Sequence, residues 1–210
     1  MVKTLIFALL ATMCATFLWG CGGKVSYTTV DGTMLGTTLH VVADVQGTSP
    51  QELYAAVMAL DREAKASMSI FDPASLLSRL NRNQTDSVDR HIAFNLRLAD
   101  SISSLSDGRY DVTVKPLVEA WGFAGKERTE HPNIDSILEF VGREKVRVAG
   151  GRLVKDDPRV QLDFNSVAKG YTVDLLAALV EKYGAENYIV DIGGEVRCRG
   201  VNRQGQAWRI

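Results

Sequence analysis

Apolar residues recur along this chain in two rhythms, helical and extended, and the switches between them outline its elements. Leu53, Val57, Leu60, Ala64 and Met68 follow one another at helical spacing. Ser49, Pro50 and Glu52 begin that helix as N-cap, first position and capping-box acid. A second helix is predicted over residues 92–105, with Ile92, Leu96, Ala99 and Ile102 on one face and Gly108 just past its end. A short third starts near Asn133 with Ile134, Ile137, Leu138 and Val141. The last covers about 166–183, through Leu175, Leu176, Leu179 and Val180, and stops before Gly184.

Extended patterns fall between these helices. Residues 36–45 alternate as a strand, and Val146–Val148 with Leu153–Val154 flank Gly150 and Gly151 as a hairpin. Val160 and Leu162 form an extended lead-in to Asp163, and the final strands run from Asn187 onward. Helices interspersed with local hairpins predict an α+β fold rather than a doubly wound one. With no repeat and no low-complexity linker, a single domain large enough for its own core is the simplest organisation.

The first twenty residues differ from the rest. Lys3 is their only charge, and the apolar run from Leu5 to Trp19 is shorter than the roughly 20 residues a membrane-spanning helix needs. That layout predicts a secretory leader over 1–20. Leu18, Trp19, Gly20 and Cys21 resemble a lipobox, with a bulky Trp19, which makes Cys21 the lipidated mature N-terminus; the alternative is an ordinary signal peptide. Lipidation would hold the protein on the extracytoplasmic, periplasmic side of a bacterial membrane, with polar residues 21–32 as a spacer. Without Lys3, 23 basic residues face 25 acidic ones, a balance of −2, so no basic field invites nucleic acid. With Cys14 in the leader and Cys21 acylated, Cys198 has no cysteine to pair with. Dispersed His40, His91 and His131 and the lack of a C-x-x-C exclude a structural zinc site.

Chemistry concentrates at residues 162–174, LDFNSVAKGYTVD. An acid, Asp163, a polar pair, Asn165 and Ser166, and then Lys169 and Gly170 meet a helix start, where unpaired N–H groups and a positive dipole end suit an anion such as a diphosphate. The competing reading is a plain N-cap. Downstream, NYIVDIGGE at 187–195 reads as a buried strand whose Gly193 and Gly194 permit a turn or a close ligand approach.

These two blocks, in this order, resemble the FAD:protein FMN transferase family, ApbE, with its LDLSxxAKGYAVD-like and YLVDIGGE-like segments. Further segments match in register: GVNRQGQAWRI at 200–210, Met34 to Thr37 (MLGT), MSIFDP at 68–73 with SRLN at 78–81, and GRYDVTVKPLV at 108–118 followed by Trp121, Gly122 and Phe123. The family counterpart of the last is GxFDITVGPLVxxWGFG.

The resemblance implies a T-fold-like, mostly antiparallel sheet packed with helices. It also implies Mg²⁺-dependent transfer of the FMN half of FAD to a Ser or Thr of an acceptor flavoprotein, with release of AMP. Asp163 and Lys169 fall on FAD-contacting positions, as do Phe71, Arg109, Tyr110 and Asp111, while Leu35 stands where the family usually has Met. Ser166 falls on the residue whose carbonyl ligates the metal. Phe71 and Tyr110 are rings suited to pack on a flavin or adenine face, or equally to pack in a core. Trp121 and Trp208 are expected as core anchors, Asp191 as support for a strand end and Glu195 as solvent-facing. Family members continue beyond Ile210 into a part carrying further Mg²⁺ ligands. Residues 33–210 are therefore expected to be the N-terminal part of the domain, incomplete and inactive alone. An FAD-binding lipoprotein without transfer, and an FAD pyrophosphatase yielding FMN and AMP, are the alternatives.

Overall fold

The computed structural model describes residues 26–210. The expected leader over 1–20 and Cys21 lie outside the described residues. Two strands open the fold, β1 (Thr28–Met34) and β2 (Thr37–Ala43), paired antiparallel with Val30 opposite Val41. The spacer expected over 21–32 therefore ends by Thr28, because Val30 is a buried sheet residue. A long helix follows, α1 (Pro50–Met68), with the capping box of Ser49 and Glu52 formed as expected. Next come α2 (Leu76–Asn81), α3 (Arg90–Leu105, capped by Asp89), α4 (Lys115–Ala120) and α5 (Ile134–Leu138). The hairpin of β3 (Val146–Ala149) and β4 (Arg152–Lys155) turns at Gly150 and Gly151, again as expected. Helix α6 (Ala168–Lys182) then leads into β5 (Tyr188–Ile192) and β6 (Glu195–Arg199).

The main sheet has the order β1-β2-β5-β6, antiparallel at every pairing. Strand residues alternate, so Val30, Met34, Leu39, Val41, Tyr188, Val190 and Ile192 share one buried face. The other face carries cross-strand pairs such as Asp31 with His40, 2.6 Å apart. Helices α1 and α6 cover the buried face with Leu53, Val57, Val173, Leu176, Ala177 and Val180. A second apolar cluster begins where the first ends: Ala64 and Met68 of α1 and Tyr171 of α6 join Leu77, Leu80, Ile92, Leu96, Leu162 and Phe164. Both clusters thus hang on the same two helices.

Three expectations are corrected here. Val160 and Leu162 do not form a strand; only Gln161 bridges, in parallel, to Val114. Buried backbone still needs partners, and the Asn81 side chain supplies them: Oδ1 accepts from the Leu162 N–H (2.7 Å) and Nδ2 donates to the Leu162 carbonyl (2.9 Å). Trp121 is no core anchor. It caps the end of a six-residue helix, is 47% exposed, and has the Arg128 guanidinium 5.2 Å from its ring centre. Trp208 is half-buried, edge-on to Tyr27, and its Nε1 donates to the Arg199 carbonyl, so it fastens the segment after β6 and not the core.

Two-residue turns with positive φ close all three hairpins: Leu35–Gly36, Gly150–Gly151 and Gly193–Gly194. Gly193 has a second reason to be glycine, since a Cβ there would lie 2.5 Å from Thr37 Cγ2. Gly193→Ala therefore combines backbone strain with a clash against β2, and we expect it to destabilise the fold by roughly 2–4 kcal/mol in urea or thermal unfolding. A loss below about 0.5 kcal/mol, the level of an ordinary surface substitution, would contradict this packing.

Candidate functional site

Leu162, Phe164 and Val167 point into the second cluster and are buried, which sends Asp163, Asn165 and Ser166 the other way. Asp163 is itself buried and is held by its own N–H, which donates to the Val112 carbonyl at 2.8 Å. Its Oδ1 accepts the Asn165 N–H at 2.7 Å. Burial pushes its carboxyl above the usual aspartate range, opposed by the Asn165 N–H and by the nearby Lys115 ammonium. Lys115, where the resembling motif has glycine, is buried and bonded to Glu119 and to Gln161 Oε1.

Helix α6 starts at Ala168 with Val167 as N-cap and no side-chain cap. The capping reading of Asp163 is thus overturned, because the acid closes a local turn on Asn165 and lies well ahead of the helix. The Ala168 N–H donates to the Phe164 carbonyl at 2.7 Å, which leaves the Lys169 and Gly170 N–H groups as the unpartnered ones of the first turn; the side chain beside them is Lys169. Its Nζ donates to the Gly193 carbonyl at 3.2 Å and lies 3.2 Å from Glu195 Oε1. Glu195 is exposed, as expected, and Asp191 supports the β5 end by accepting the Gly194 N–H at 2.8 Å. The glycine pair is therefore a hairpin turn, and one of its carbonyls orients the lysine.

A cleft of about 610 Å³ opens at this helix start, lined by Leu35, Gly36, Lys65, Phe71, Asn165 and Lys169 among others. Its apolar walls belong to the seam between the two clusters, since Leu35 packs against both. Phe71 is 67% exposed, so its ring serves no core; Ser69 Oγ holds its base by accepting the Phe71 and Asp72 N–H groups at 3.1 Å. Leu35 has φ +52°, and its N–H donates to Asp61 Oδ1 at 2.8 Å. Asp61 Oδ2 in turn holds Lys65 at 2.7 Å.

The other expected residues sit differently. Tyr110 is half-buried against the second cluster, and its hydroxyl meets Ser166 Oγ at 2.9 Å. Burial raises its phenol pKa, and the Ser166 contact opposes that. Tyr110, Asp163 and Ser166 are not among the residues that line the cleft, and neither are Asp111 and Arg109. The Asp111 oxygens are taken by Thr113 N–H and Oγ1 and by the Arg143 N–H, a tie to the loop ahead of β3, while Arg109 is exposed. Ser166 and Asp163 supply neighbouring oxygen donors, but no cluster of three or more His, Cys, Asp or Glu suited to a metal occurs among the described residues.

The family-like segments contain neither Asp61 nor Lys65, and hold Asn81 only as the last residue of SRLN. Asp61 had a visible signal: it occupies the position after Val57 where the buried stripe of α1 calls for an apolar residue. Elsewhere, Lys155 lines a separate pocket, and burial draws its ammonium down to about 8. Its Nζ donates to the Leu80 carbonyl and Asn83 Oδ1, which closes the end of α2.

Residues 35–210 match the ApbE family model. The chain is 33% identical to the FAD:protein FMN transferase of Haemophilus influenzae, covering 100% of this chain and 65% of that protein. It is 32% identical to the Vibrio cholerae protein of the same name, over 96% and 63%. Among solved structures, the flavin transferase ApbE from Vibrio cholerae superposes with a TM-score of 0.80 at 31% identity, covering 88% of this chain and 63% of that one. The apo flavinyl transferase ApbE of Pseudomonas stutzeri gives 0.82 at 28%, over 90% and 66%. The chain thus spans under two thirds of the length of these two sequence relatives. The matched residues include every segment that builds the cleft, the helices and antiparallel sheet superpose as a unit, and the chain belongs to the ApbE family.

Proposed function

We propose that this chain binds FAD in the cleft at the start of α6 and serves transfer of its FMN half to a Ser or Thr hydroxyl of an acceptor flavoprotein. The observation that carries this reading is the meeting of Leu35, Phe71, Asn165 and Lys169 at an uncapped helix N-terminus. Apolar Leu35 and the exposed Phe71 ring suit the flat isoalloxazine. The Lys169 and Gly170 N–H groups of the first α6 turn and the Lys169 ammonium suit the diphosphate. In the transfer, the acceptor oxygen bonds to the FMN phosphorus and gives up its proton, and the bond to the AMP oxygen breaks, so AMP leaves.

Mg²⁺, when bound, supplies positive charge to the diphosphate oxygens. Ser166, where the resemblance puts the metal-ligating carbonyl, offers oxygen chemistry that fits such a hard cation and would hold it. The Tyr110 hydroxyl keeps Ser166 in place. Lys169 is oriented before any ligand arrives, by the Gly193 carbonyl and Glu195. We also propose that Cys21 carries the lipid that tethers the protein to the periplasmic side of the membrane. The motive is the short apolar run that ends at Cys21.

Titration of flavin fluorescence tests FAD binding. Lys169→Ala is expected to weaken it roughly ten- to a hundredfold, the worth of a hydrogen bond to a charged group. Unchanged affinity in a folded variant would remove Lys169 from the site. Incubation with FAD, Mg²⁺ and an acceptor domain tests transfer, read as a fluorescent band on denaturing gels that EDTA abolishes; the expectation of inactivity for residues 33–210 alone predicts no band, and a band would overturn it. AMP released without acceptor would instead favour the hydrolytic alternative.

Asp163→Asn separates function from stability. A carboxyl raised by burial favours the folded state while protonated and loses that contribution as pH rises through its raised value. The ligand-free variant should therefore gain stability relative to the parent as pH climbs from near 3.8 towards neutrality, yet bind FAD with Mg²⁺ more weakly. A pH-independent stability difference would show that Asp163 is not destabilised by its surroundings. For the anchor, Cys21→Ser should shift the protein from the membrane to the soluble fraction, and mass spectrometry of the N-terminal peptide should find diacylation lost.

A further inference from the structure

One of the three hairpin turns breaks the glycine pattern. Gly150 and Gly193, both at φ +57°, occupy the first turn position in two of them; Leu35, at φ +52°, occupies it in the third. A leucine has no intrinsic reason to adopt that conformation, because its Cβ crowds the following carbonyl. Something outside the turn must hold it. The Leu35 side chain sits where both apolar clusters and the cleft meet. Its N–H is met by Asp61 Oδ1, from a carboxylate only 7% exposed on the buried face of α1. A buried acid at that point in the stripe is costly unless both oxygens are satisfied. They are, because Oδ2 accepts from Lys65, whose side chain also lines the cleft.

We propose that Asp61 is a positioning residue of the cleft, whose carboxylate holds Leu35 in its left-handed conformation as the apolar wall against which the flavin packs and aims Lys65 along the same wall. This role rests on the FAD reading given above. Oδ1 acts on the wall and Oδ2 on the ammonium, so one residue sets an apolar contact and a charge together. Asparagine keeps an acceptor for the Leu35 N–H and drops the charge that holds Lys65; alanine removes both. Glycine at position 35 needs no support, since it adopts the left-handed region unaided.

Flavin-fluorescence titration of the whole chain with FAD, and thermal unfolding of the ligand-free protein, test the assignment with five proteins: the parent, Asp61→Ala, Asp61→Asn, Leu35→Gly, and Asp61→Ala in the Leu35→Gly background. Asp61→Ala is expected to weaken FAD binding roughly tenfold, and Asp61→Asn to restore most of it, as expected when a charged acceptor is replaced by a neutral one. In the glycine background, Asp61→Ala should cost clearly less affinity, keeping only the part that comes from releasing Lys65. A merely structural role would not show that coupling. Should Asp61→Ala fail to fold, the glycine background is expected to rescue it, and failure to rescue overturns the proposal. FAD binding by Asp61→Ala equal to the parent, or an equal loss in both backgrounds, also overturns it while leaving the FAD reading intact. A parent that binds no FAD overturns both.

Discussion

The two hydrogen bonds between the Asn81 side chain and the backbone of Leu162 are the joint on which the site hangs. Residues 160–167 run through a buried region without the support of a regular strand, so each N–H and carbonyl needs an individual partner. A single amide side chain satisfies both groups of Leu162, and the Val112 carbonyl takes the next N–H, from Asp163. With those fixed, Leu162 and Phe164 fall into the apolar cluster, the buried Asp163 and the exposed Ser166 turn away from it, and α6 begins where Lys169 can reach the β5–β6 turn. The position of the helix start is thus decided by an asparagine more than eighty residues earlier in the chain.

Helix α1 provides the second constraint. Its 19 residues run past both apolar clusters, Leu53 and Val57 in one and Ala64 and Met68 in the other. Asp61 lies at the crossing, where an apolar side chain would have sealed the seam. The seam is where the cleft opens, so the polar interruption in the stripe and the cavity beside it are two aspects of one arrangement.

Much of this was legible before any coordinates. The capping box at Ser49 and Glu52, the alternation of β2, the hairpin around Gly150 and the end of α6 before Gly184 all rest on local chemistry that the chain displays directly. Leu35, Phe71 and Lys169, placed by resemblance, do share one cleft. What local pattern could not reveal were choices made by distant partners. Asp163 looked like a cap because nothing nearby shows that its backbone is claimed by Val112. Asp111 looked available, whereas Thr113 and Arg143 occupy its oxygens. Trp121 has the size of a core residue, but size says nothing of its place at the exposed end of a six-residue helix. Helices α2 and α4 are too short to announce themselves by periodicity.

Phe71 leaves two thirds of its surface in water although apolar clusters lie close by. Ser69 holds its backbone rigidly, so the ring stays presented and does not collapse inward. Hydration of such a surface contributes to heat capacity, and covering it with a planar ligand removes that contribution. Burial of that ring under an apolar ligand would make the enthalpy of association more favourable as temperature rises, a calorimetric slope to which Phe71 contributes because it starts uncovered.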